Sequence, residues 1–267
     1  MGAALDAICL ITAPRTGTNH LCEVLRNFSE LASYLDIFEN DGAHGIGAES
    51  WPLIRQLTGI DFPNHKDPRL IAFAREKPAA WLDVLEQAAR TLGKRVMSFK
   101  LHHHHLPPEP IEREIMPRSG LRAVFVVRKQ IDSYVSWRKA TELGKWQGVD
   151  TTGIRLTLDP DRFQGWLVQQ EQWYQHWKAY LERRFLPVPV LRYETDIDQP
   201  PERALKRFAA AAAQVGITLR PPATLTHAGL ERQDKARSLA DKVSNWAEFS
   251  REIFARGLER RAFGYPL

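Results

Sequence analysis

The 267-residue chain contains only two cysteines, Cys9 and Cys22, which form neither a disulfide framework nor a metal-ligand spacing. Both lie in apolar stretches, so we expect buried, reduced thiols. The chain also lacks any run of about eighteen apolar residues, the minimum for a membrane-spanning helix. Its N-terminal segment has no cationic start followed by a long apolar stretch, as a signal peptide would. We therefore expect a cytoplasmic protein without an integral membrane segment.

Clusters of basic residues are also missing. The chain has 37 Lys and Arg against 32 Asp and Glu, and the formal net charge is only +5. Because the basic residues are scattered, the composition argues against a nucleic-acid-binding arm. The slight positive excess is compatible with a small anionic ligand.

Short apolar segments alternate with segments of helical periodicity. This pattern predicts an α/β fold with a central parallel sheet flanked by helices, and the length suits a single domain over residues 1–267. The predicted strands are Ala7–Ala13, Arg95–Leu101, Leu121–Val127 and Val188–Tyr193. The predicted helices begin near Thr18 and span Ala79–Leu92, Arg162–Arg184 and Glu202–Val215. Residues 41–76 and 137–161 lack clean periodicity and are predicted to be irregular lid or acceptor segments.

The first predicted strand leads through PRTGTN, residues 14–19, into an amphipathic helix. A strand, a turn and a helix N-terminus together form an anion site of backbone N–H groups and helix dipole. Gly17 lets the backbone approach the anion, and Thr16 and Thr18 offer hydroxyl donors. Arg15 adds a fixed positive charge that can form two hydrogen bonds with phosphate. The sequence therefore predicts a phosphate loop.

This loop lacks the lysine of a nucleoside triphosphatase, because no GxxxxGK[ST] pattern is present. A phosphoryl-transfer enzyme also commonly places an Asp at a neighbouring strand end to hold Mg²⁺, where this chain has Arg128. A sulfuryl group carries less negative charge than a phosphoryl group, so side-chain cations and backbone donors can suffice. The pattern favours metal-independent sulfuryl transfer; a small-molecule P-loop kinase is the alternative enzyme class.

Five segments, in order, resemble the sulfotransferases that use 3'-phosphoadenosine 5'-phosphosulfate (PAPS), and within them the bacterial branch that includes trehalose 2-sulfotransferase. The segments are PRTGTNHLCEVL, YLDIFEN, FKLHHHH, FVVRKQIDSYVSWRKA and LERQDKARSLADKVSNWAEF. The resemblance implies a sulfotransferase fold, PAPS as co-substrate, its product 3'-phosphoadenosine 5'-phosphate (PAP), and a small hydroxyl acceptor. It also implies a homodimer.

The resemblance implies a set of cofactor-binding residues. Arg128 at a strand end and Ser136, eight residues later, match the pair that binds the 3'-phosphate. The carboxyl edge of a parallel sheet is where such ligands bind. Tyr193 and Arg232 match two further nucleotide-contacting positions. The loop residues assigned to the cofactor are Arg15, Thr16, Gly17, Thr18 and Asn19.

For catalysis the resemblance implies a base at Asp36, where the trehalose enzyme's branch has a Glu. Because the aspartate side chain is shorter than glutamate, Glu39 is a second candidate for the base. The change from Glu to Asp also leaves open a non-catalytic PAP-binding protein as an alternative function. The rival base is His102, in the run His102 to His105, because histidine titrates near neutrality. Lys100 and Arg15 are candidates for stabilising the leaving oxygen.

The histidine run also raises the question of a metal. If the strand continued, His102 and His104 would share one face and His103 and His105 the other. Adjacent histidines offer no second, separate cluster of ligands, so no metal site is predicted.

The acceptor is predicted only as a class, a carbohydrate or glycolipid hydroxyl. Pro14 stands where the trehalose enzyme has a sugar-contacting Gln, so trehalose itself is not carried over. Trp51, Trp137 and Trp146 lie in the two irregular segments and could stack on a sugar or cover an apolar acceptor.

Overall fold

The computed structural model describes residues 5–236 and 238–267. Its centre is one five-stranded sheet in which every pairing is parallel, with the order β2-β3-β1-β4-β5. The strands are β1 (Asp6–Ile11), β2 (Leu31–Ser33), β3 (Val96–Leu101), β4 (Leu121–Val127) and β5 (Val190–Arg192). The α/β class predicted from the sequence is confirmed.

Helices connect these strands and cover the sheet. They are α1 (Thr18–Leu25), α2 (Trp51–Thr58), α3 (Pro68–Glu76), α4 (Pro78–Thr91), α5 (Pro108–Pro110), α6 (Gln130–Leu143), α7 (Pro160–Glu182), α8 (Pro201–Gln214), α9 (Leu239–Lys242), α10 (Trp246–Ala255) and α11 (Glu259–Phe263). A 3₁₀ turn covers Ala48–Ser50, and π-helical turns cover Ile111–Ile115 and Tyr193–Ile197. In the described residues no helix combines the length and apolarity that crossing a bilayer requires.

The sheet is buried on both faces. Successive β1 side chains point to opposite faces and pack in two different hydrophobic clusters. Cys9 and Ile11 pack with the layer formed by α4 and α7, which includes Trp81 and Trp177. Ile8, on the other face, packs with α1 and α8. A strand that is covered on both faces needs apolar side chains on both, which explains why β1 is apolar from Ala7 to Ile11 after the partly exposed Asp6.

The strand order fixes where a ligand can bind. The chain passes from β1 to β2 and β3 on one side and then crosses to β4 and β5 on the other. A crevice forms at the carboxyl ends of the strands where the order reverses, and such crevices bind ligands in open α/β sheets. The turn after β1 and the first residues after β4 lie beside this crevice.

The four predicted strands are confirmed to within two residues at each end. The three-residue β2 was not predicted, because its sequence is too short to show a period. The prediction that residues 41–76 are irregular is wrong, because α2 and α3 lie there. Both helices carry proline in their first turn, where the missing N–H group costs no hydrogen bond. The prolines in this segment, which suggested irregular structure, therefore mark the starts of helices.

Candidate active site

The turn after β1 has the backbone of an anion-binding loop. Arg15 and Gly17 both have positive φ angles, 70° and 84°. A non-glycine residue in this region is strained, and such strain is found most often at functional sites. Gly17 precedes α1, whose first turn receives no side-chain cap. The free N–H groups at this helix end are therefore available to an anion.

The hydroxyl of Thr16 stabilises the loop itself. Its Oγ1 lies 2.6 Å from Oγ1 of Thr12 and donates to the carbonyl of Ala13 over 2.9 Å. Thr16 is 3% exposed, so its side chain lies inside the turn. Thr18 is also buried. The sequence predicted both hydroxyls as ligand donors, whereas the structure places that of Thr16 within the loop.

Arg128 and Tyr193 form the neighbouring wall. The Tyr193 ring lies so close to Gly17 that a Cβ on this glycine would be 2.4 Å from Cδ2. The Arg128 guanidinium lies over the same ring, 4.3 Å from its centroid, and donates to the carbonyl of Arg15 over 2.9 Å. Its Nε is buried and has no hydrogen-bond partner in the described residues. An anion beside Arg128 could accept from that donor.

Arg15 is surrounded by neutral acceptors. Its Nε donates to Oγ of Ser136 over 3.0 Å, and its two terminal nitrogens donate to the carbonyl of Trp146 and the amide oxygen of Gln233. Burial and the like charge of Arg128 lower the pKa of Arg15 to about 10. Two guanidinium groups held close together favour an anion between or beside them.

Lys100 and Asp36 form a second polar centre at the carboxyl end of β3. The Lys100 side chain is 2% exposed; its Nζ lies 2.6 Å from Oδ2 of Asp36 and also donates to Oδ1 of Asn19. Burial alone would raise the pKa of Asp36, but the charge of Lys100 and the neighbouring histidines outweigh it and hold the pKa well below its usual range. Asn19, predicted to contact the cofactor, thus positions Lys100 in this structure.

The histidine run forms a turn, and β3 does not continue through it. The strand ends at Leu101, and the N–H of His105 donates to the carbonyl of His102 over 3.1 Å. His102 and His105 are therefore neighbours, with ring centroids 4.6 Å apart, while His103 lies 6.4 Å from the ring of Trp173. The side chains therefore do not alternate between two faces as they would in a strand, because a turn of four residues places the first residue beside the fourth.

Two carboxylates approach this histidine turn. Nε2 of His102 and of His105 lie 3.2 and 3.6 Å from Oδ1 of Asp36. Nε2 of His104 lies 2.8 Å from Oε2 of Glu39, and that of His105 lies 3.4 Å from the same atom. Burial lowers the pKa of His102 to about 3, even beside Asp36, so the ring is neutral. The structure thus brings together both candidate bases, Asp36 and His102.

A separate cavity of about 600 Å³ opens beside the phosphate loop. Pro14 and His103 form the side nearest the loop, while Trp137 and Trp166 supply aromatic surfaces. Burial lowers the pKa of His103 to about 4, so it also is neutral. The other lining residues are Tyr134, Arg138, Thr141, Glu142, Arg162, Gly165, Gln169 and Gln170. A cavity lined by both aromatic rings and planar polar groups can bind a ring that bears hydroxyl groups.

The remaining predicted residues lie at different distances from this centre. Trp137 lines the cavity, Trp146 contacts Arg15 through its carbonyl, and Trp51 packs against Phe62 with ring centroids 6.3 Å apart. Arg232 is exposed and pairs with Asp198 over 3.4 Å.

Two residues near the loop were not singled out from the sequence. Gln233 contacts Arg15 directly, and its position immediately after Arg232 in the ERQ segment was the available signal. His103 lines the cavity because the histidine run forms a turn, which its composition does not reveal.

No protein-family model matches the chain. No curated protein matches it either. The structure is similar to the sulfotransferase domain from the curacin biosynthetic pathway, with 13% identity, a TM-score of 0.43, and coverage of 92% of this chain and 87% of that one. It is also similar to the sulfotransferase domain from the Synechococcus PCC 7002 olefin synthase, with 13% identity, a TM-score of 0.38, and coverage of 81% and 75%. The α/β assignment rests on the sheet itself and not on these similarities.

Proposed function

We propose that the protein transfers the sulfuryl group of PAPS to a hydroxyl of a small carbohydrate or glycolipid acceptor. The observation that carries the proposal is the pair Arg15 and Arg128, which lies beside the crevice where the strand order of the sheet reverses. Within residues 5–236 and 238–267, neither guanidinium forms an ion pair with a carboxylate. Two partly buried cations without a carboxylate partner favour an anion beside them, and the phosphates of PAPS would supply it.

The fit to PAPS depends on how these donors are grouped. Arg128 and Ser136, assigned to the 3'-phosphate, are linked through Arg15, which contacts both. The Tyr193 ring, in close contact with Gly17, forms an apolar wall beside them. When bound, PAPS would supply an activated sulfuryl group and a phosphate leaving group. No lysine follows Gly17, so the loop lacks the side chain a triphosphatase uses for the terminal phosphates.

Lys100 and Asp36 are proposed to assist the transfer. Lys100 is the buried cation nearest the candidate base and would stabilise charge on a leaving oxygen. If Lys100 turns from Asp36 toward that oxygen, the strongest influence that lowers the pKa of Asp36 weakens. Asp36 then becomes a better base for the acceptor hydroxyl at the step that needs one. His102, neutral and 3.2 Å from Asp36, is the alternative base.

The cavity lined by Trp137 and Trp166 is the proposed acceptor site. It begins at Pro14, directly before Arg15, and so lies beside the proposed donor site. Its aromatic surfaces and planar polar groups support a carbohydrate acceptor. Membership of the bacterial branch containing trehalose 2-sulfotransferase, and a homodimer, are parts of the proposal supported only by the five sequence segments.

Calorimetric titration with PAP tests the donor half of the proposal. The wild-type chain should bind PAP, and Arg128→Ala should weaken binding at least tenfold, because the variant removes the charge and the free Nε donor. Arg184→Ala is the matched control: that guanidinium also stacks on a tyrosine, 3.7 Å from the centroid of Tyr180, but lies at the end of α7. Absence of PAP binding by the wild-type chain would end the proposal.

Incubation with labelled PAPS and extract from the source cell tests the transfer itself. A labelled product of carbohydrate character would support the proposal and identify the acceptor. Mg²⁺-dependent ATP consumption without any response to PAPS would instead support a kinase. Tight PAP binding with no labelled product from a broad panel of hydroxyl acceptors would point to a non-catalytic PAP-binding protein.

A further inference from the structure

We propose that His102, His105, Asp36 and Glu39 form a binding site for a divalent first-row transition metal such as Zn²⁺ or Co²⁺. The site lies between the turn after β3 and the segment after β2. The inference is drawn from unpartnered donor atoms and not from sulfuryl transfer. Asp36 and His102 are also the candidate bases, so an ion bound there would occupy them.

The first argument is a concentration of buried atoms without hydrogen bonds. Within the described ranges, Oδ1 of Asp36, Nδ1 and Nε2 of His102 and Nε2 of His105 have no hydrogen-bond partner. His102 is 5% exposed and His105 is fully buried. Buried polar groups are almost always satisfied, so several orphans around one point indicate a missing ligand. Imidazole nitrogen and carboxylate oxygen are ligands that these metals bind.

The second argument is the spacing of those atoms. Bond lengths of about 2.0–2.2 Å to Zn²⁺ in a tetrahedron place neighbouring ligand atoms about 3.3–3.6 Å apart. Oδ1 of Asp36 lies 3.2 Å from Nε2 of His102 and 3.6 Å from Nε2 of His105. Nε2 of His105 lies 3.4 Å from Oε2 of Glu39. These separations suit atoms that share one ion.

Outer contacts hold the two carboxylates in place, as they do around metal sites in general. The other oxygen of Asp36 accepts from Lys100 over 2.6 Å. Oε2 of Glu39 lies 2.8 Å from Nε2 of His104, and Oε1 accepts from the N–H of Asn40 over 2.9 Å. The two carboxylate charges balance those of a divalent ion.

Metal binding requires one local change. Nδ1 of His105 accepts the main-chain N–H of His102 over 3.3 Å, a long bond. A ring that binds metal through Nε2 carries its hydrogen on Nδ1, so this bond would be lost. Its replacement by a metal–nitrogen bond offsets that loss.

The experiment titrates the tag-free protein with Co²⁺ and follows visible absorption, with Zn²⁺ competition and calorimetry to obtain affinity. We expect one equivalent of Co²⁺ with the intense absorption of tetrahedral coordination, displaced by Zn²⁺. Glu39→Gln and His105→Asn should each weaken binding by about 100-fold or more, since an outer contact alone is worth about 10–100-fold. His176→Ala is the control, because His176 also lies 2.8 Å from a carboxylate, that of Glu112, outside the site.

No tetrahedral absorption from the wild-type protein, or equal affinity in Glu39→Gln and wild type, would overturn the inference. The Glu39 side chain is 20% exposed and its replacement conserves shape, so this variant should fold even if His105→Asn does not. PAPS is absent from these titrations. Sulfuryl transfer is assayed separately in metal-free buffer, so that no ion occupies Asp36 and His102. Metal binding without transfer would then contradict only the proposed function, and transfer without metal binding only this inference.

Discussion

Gly17 shows how one residue controls the shape of the proposed phosphate site. Its φ of 84° costs an L-amino acid about 1–2 kcal/mol, and a Cβ there would lie 2.4 Å from the Tyr193 ring. Gly17→Ala must therefore displace Tyr193 and with it the Arg128 guanidinium stacked on that ring. We expect PAP affinity, measured by calorimetry, to fall at least tenfold.

Gly216→Ala separates the clash from the backbone strain. Gly216 has a φ of 82°, but nothing lies within 4 Å of the position its Cβ would take. The control should lose stability by about the same strain energy while keeping PAP affinity. Equal PAP affinity in Gly17→Ala and wild type would show that the Tyr193 wall does not shape the nucleotide site.

The choice between Asp36 and His102 as base is also decided at single residues. Asp36→Asn conserves size and can still accept from Lys100, but an amide cannot take the acceptor's proton. We expect turnover to fall by about 10²–10⁴-fold, the usual contribution of a general base, with PAP affinity changed less than about threefold. Single-turnover kinetics with PAPS and calorimetry with PAP measure the two effects.

Asp41→Asn is the control for removing a carboxylate from the same segment, since Asp41 is exposed and pairs with His44 over 2.8 Å. It should leave turnover unchanged. Full turnover in Asp36→Asn combined with loss of turnover in His102→Ala would show that the base is His102 and that the assignment to Asp36 is wrong.

At the scale of elements, a buried ion pair ties α6 to the C-terminal segment that reaches Arg15. Nζ of Lys139 lies 2.8 Å from Oδ2 of Asp234 and 2.9 Å from the carbonyl of Thr151, and its side chain is 2% exposed. Asp234→Asn leaves this charge buried without a counter-ion, which costs about 3–5 kcal/mol. We expect that loss in urea unfolding, together with weaker PAP binding, because the adjacent Gln233 contacts Arg15.

An exposed ion pair on α7 is the control for the buried pair of Lys139 and Asp234. Lys178 and Glu182 lie 3.9 Å apart on α7, and both are at least one-third exposed. Glu182→Gln should change the free energy of unfolding by less than about 0.5 kcal/mol. If Asp234→Asn is equally mild, the pair does not hold the two segments together.

The elements also show what a single sequence reveals. The long apolar periods of β1, β4 and α7 were predicted correctly because burial on a sheet or in a core imposes a repeat. The two helices in residues 41–76 are only eight and nine residues long and carry proline in their first turn, so no repeat was visible. The end of the preceding strand at Leu101 was predicted correctly, but the conformation of the histidine run was left open, because it depends on a turn that four identical residues do not encode.

At the scale of the whole molecule, the sheet order brings distant segments together. Arg15, Arg128 and Tyr193 follow three different strands and meet only because β1, β4 and β5 are adjacent. Their meeting could be predicted from the sequence, since the carboxyl ends of parallel strands share one edge. The contact of Gln233 with Arg15 could not, because it depends on the path of a segment without regular structure.

This convergence makes ligand binding a measurable contribution to overall stability. PAP at about 100 times its dissociation constant should stabilise the fold by about 2.7 kcal/mol. For a chain of this size we expect a rise in Tm of roughly 5–10 °C, at about 2–4 °C per kcal/mol, by scanning calorimetry. AMP lacks the 3'-phosphate assigned to Arg128 and Ser136 and should give a much smaller shift at equal concentration. A shift with ATP and Mg²⁺ but none with PAP would mean that the two guanidinium groups serve a different nucleotide, and the proposed donor would be wrong.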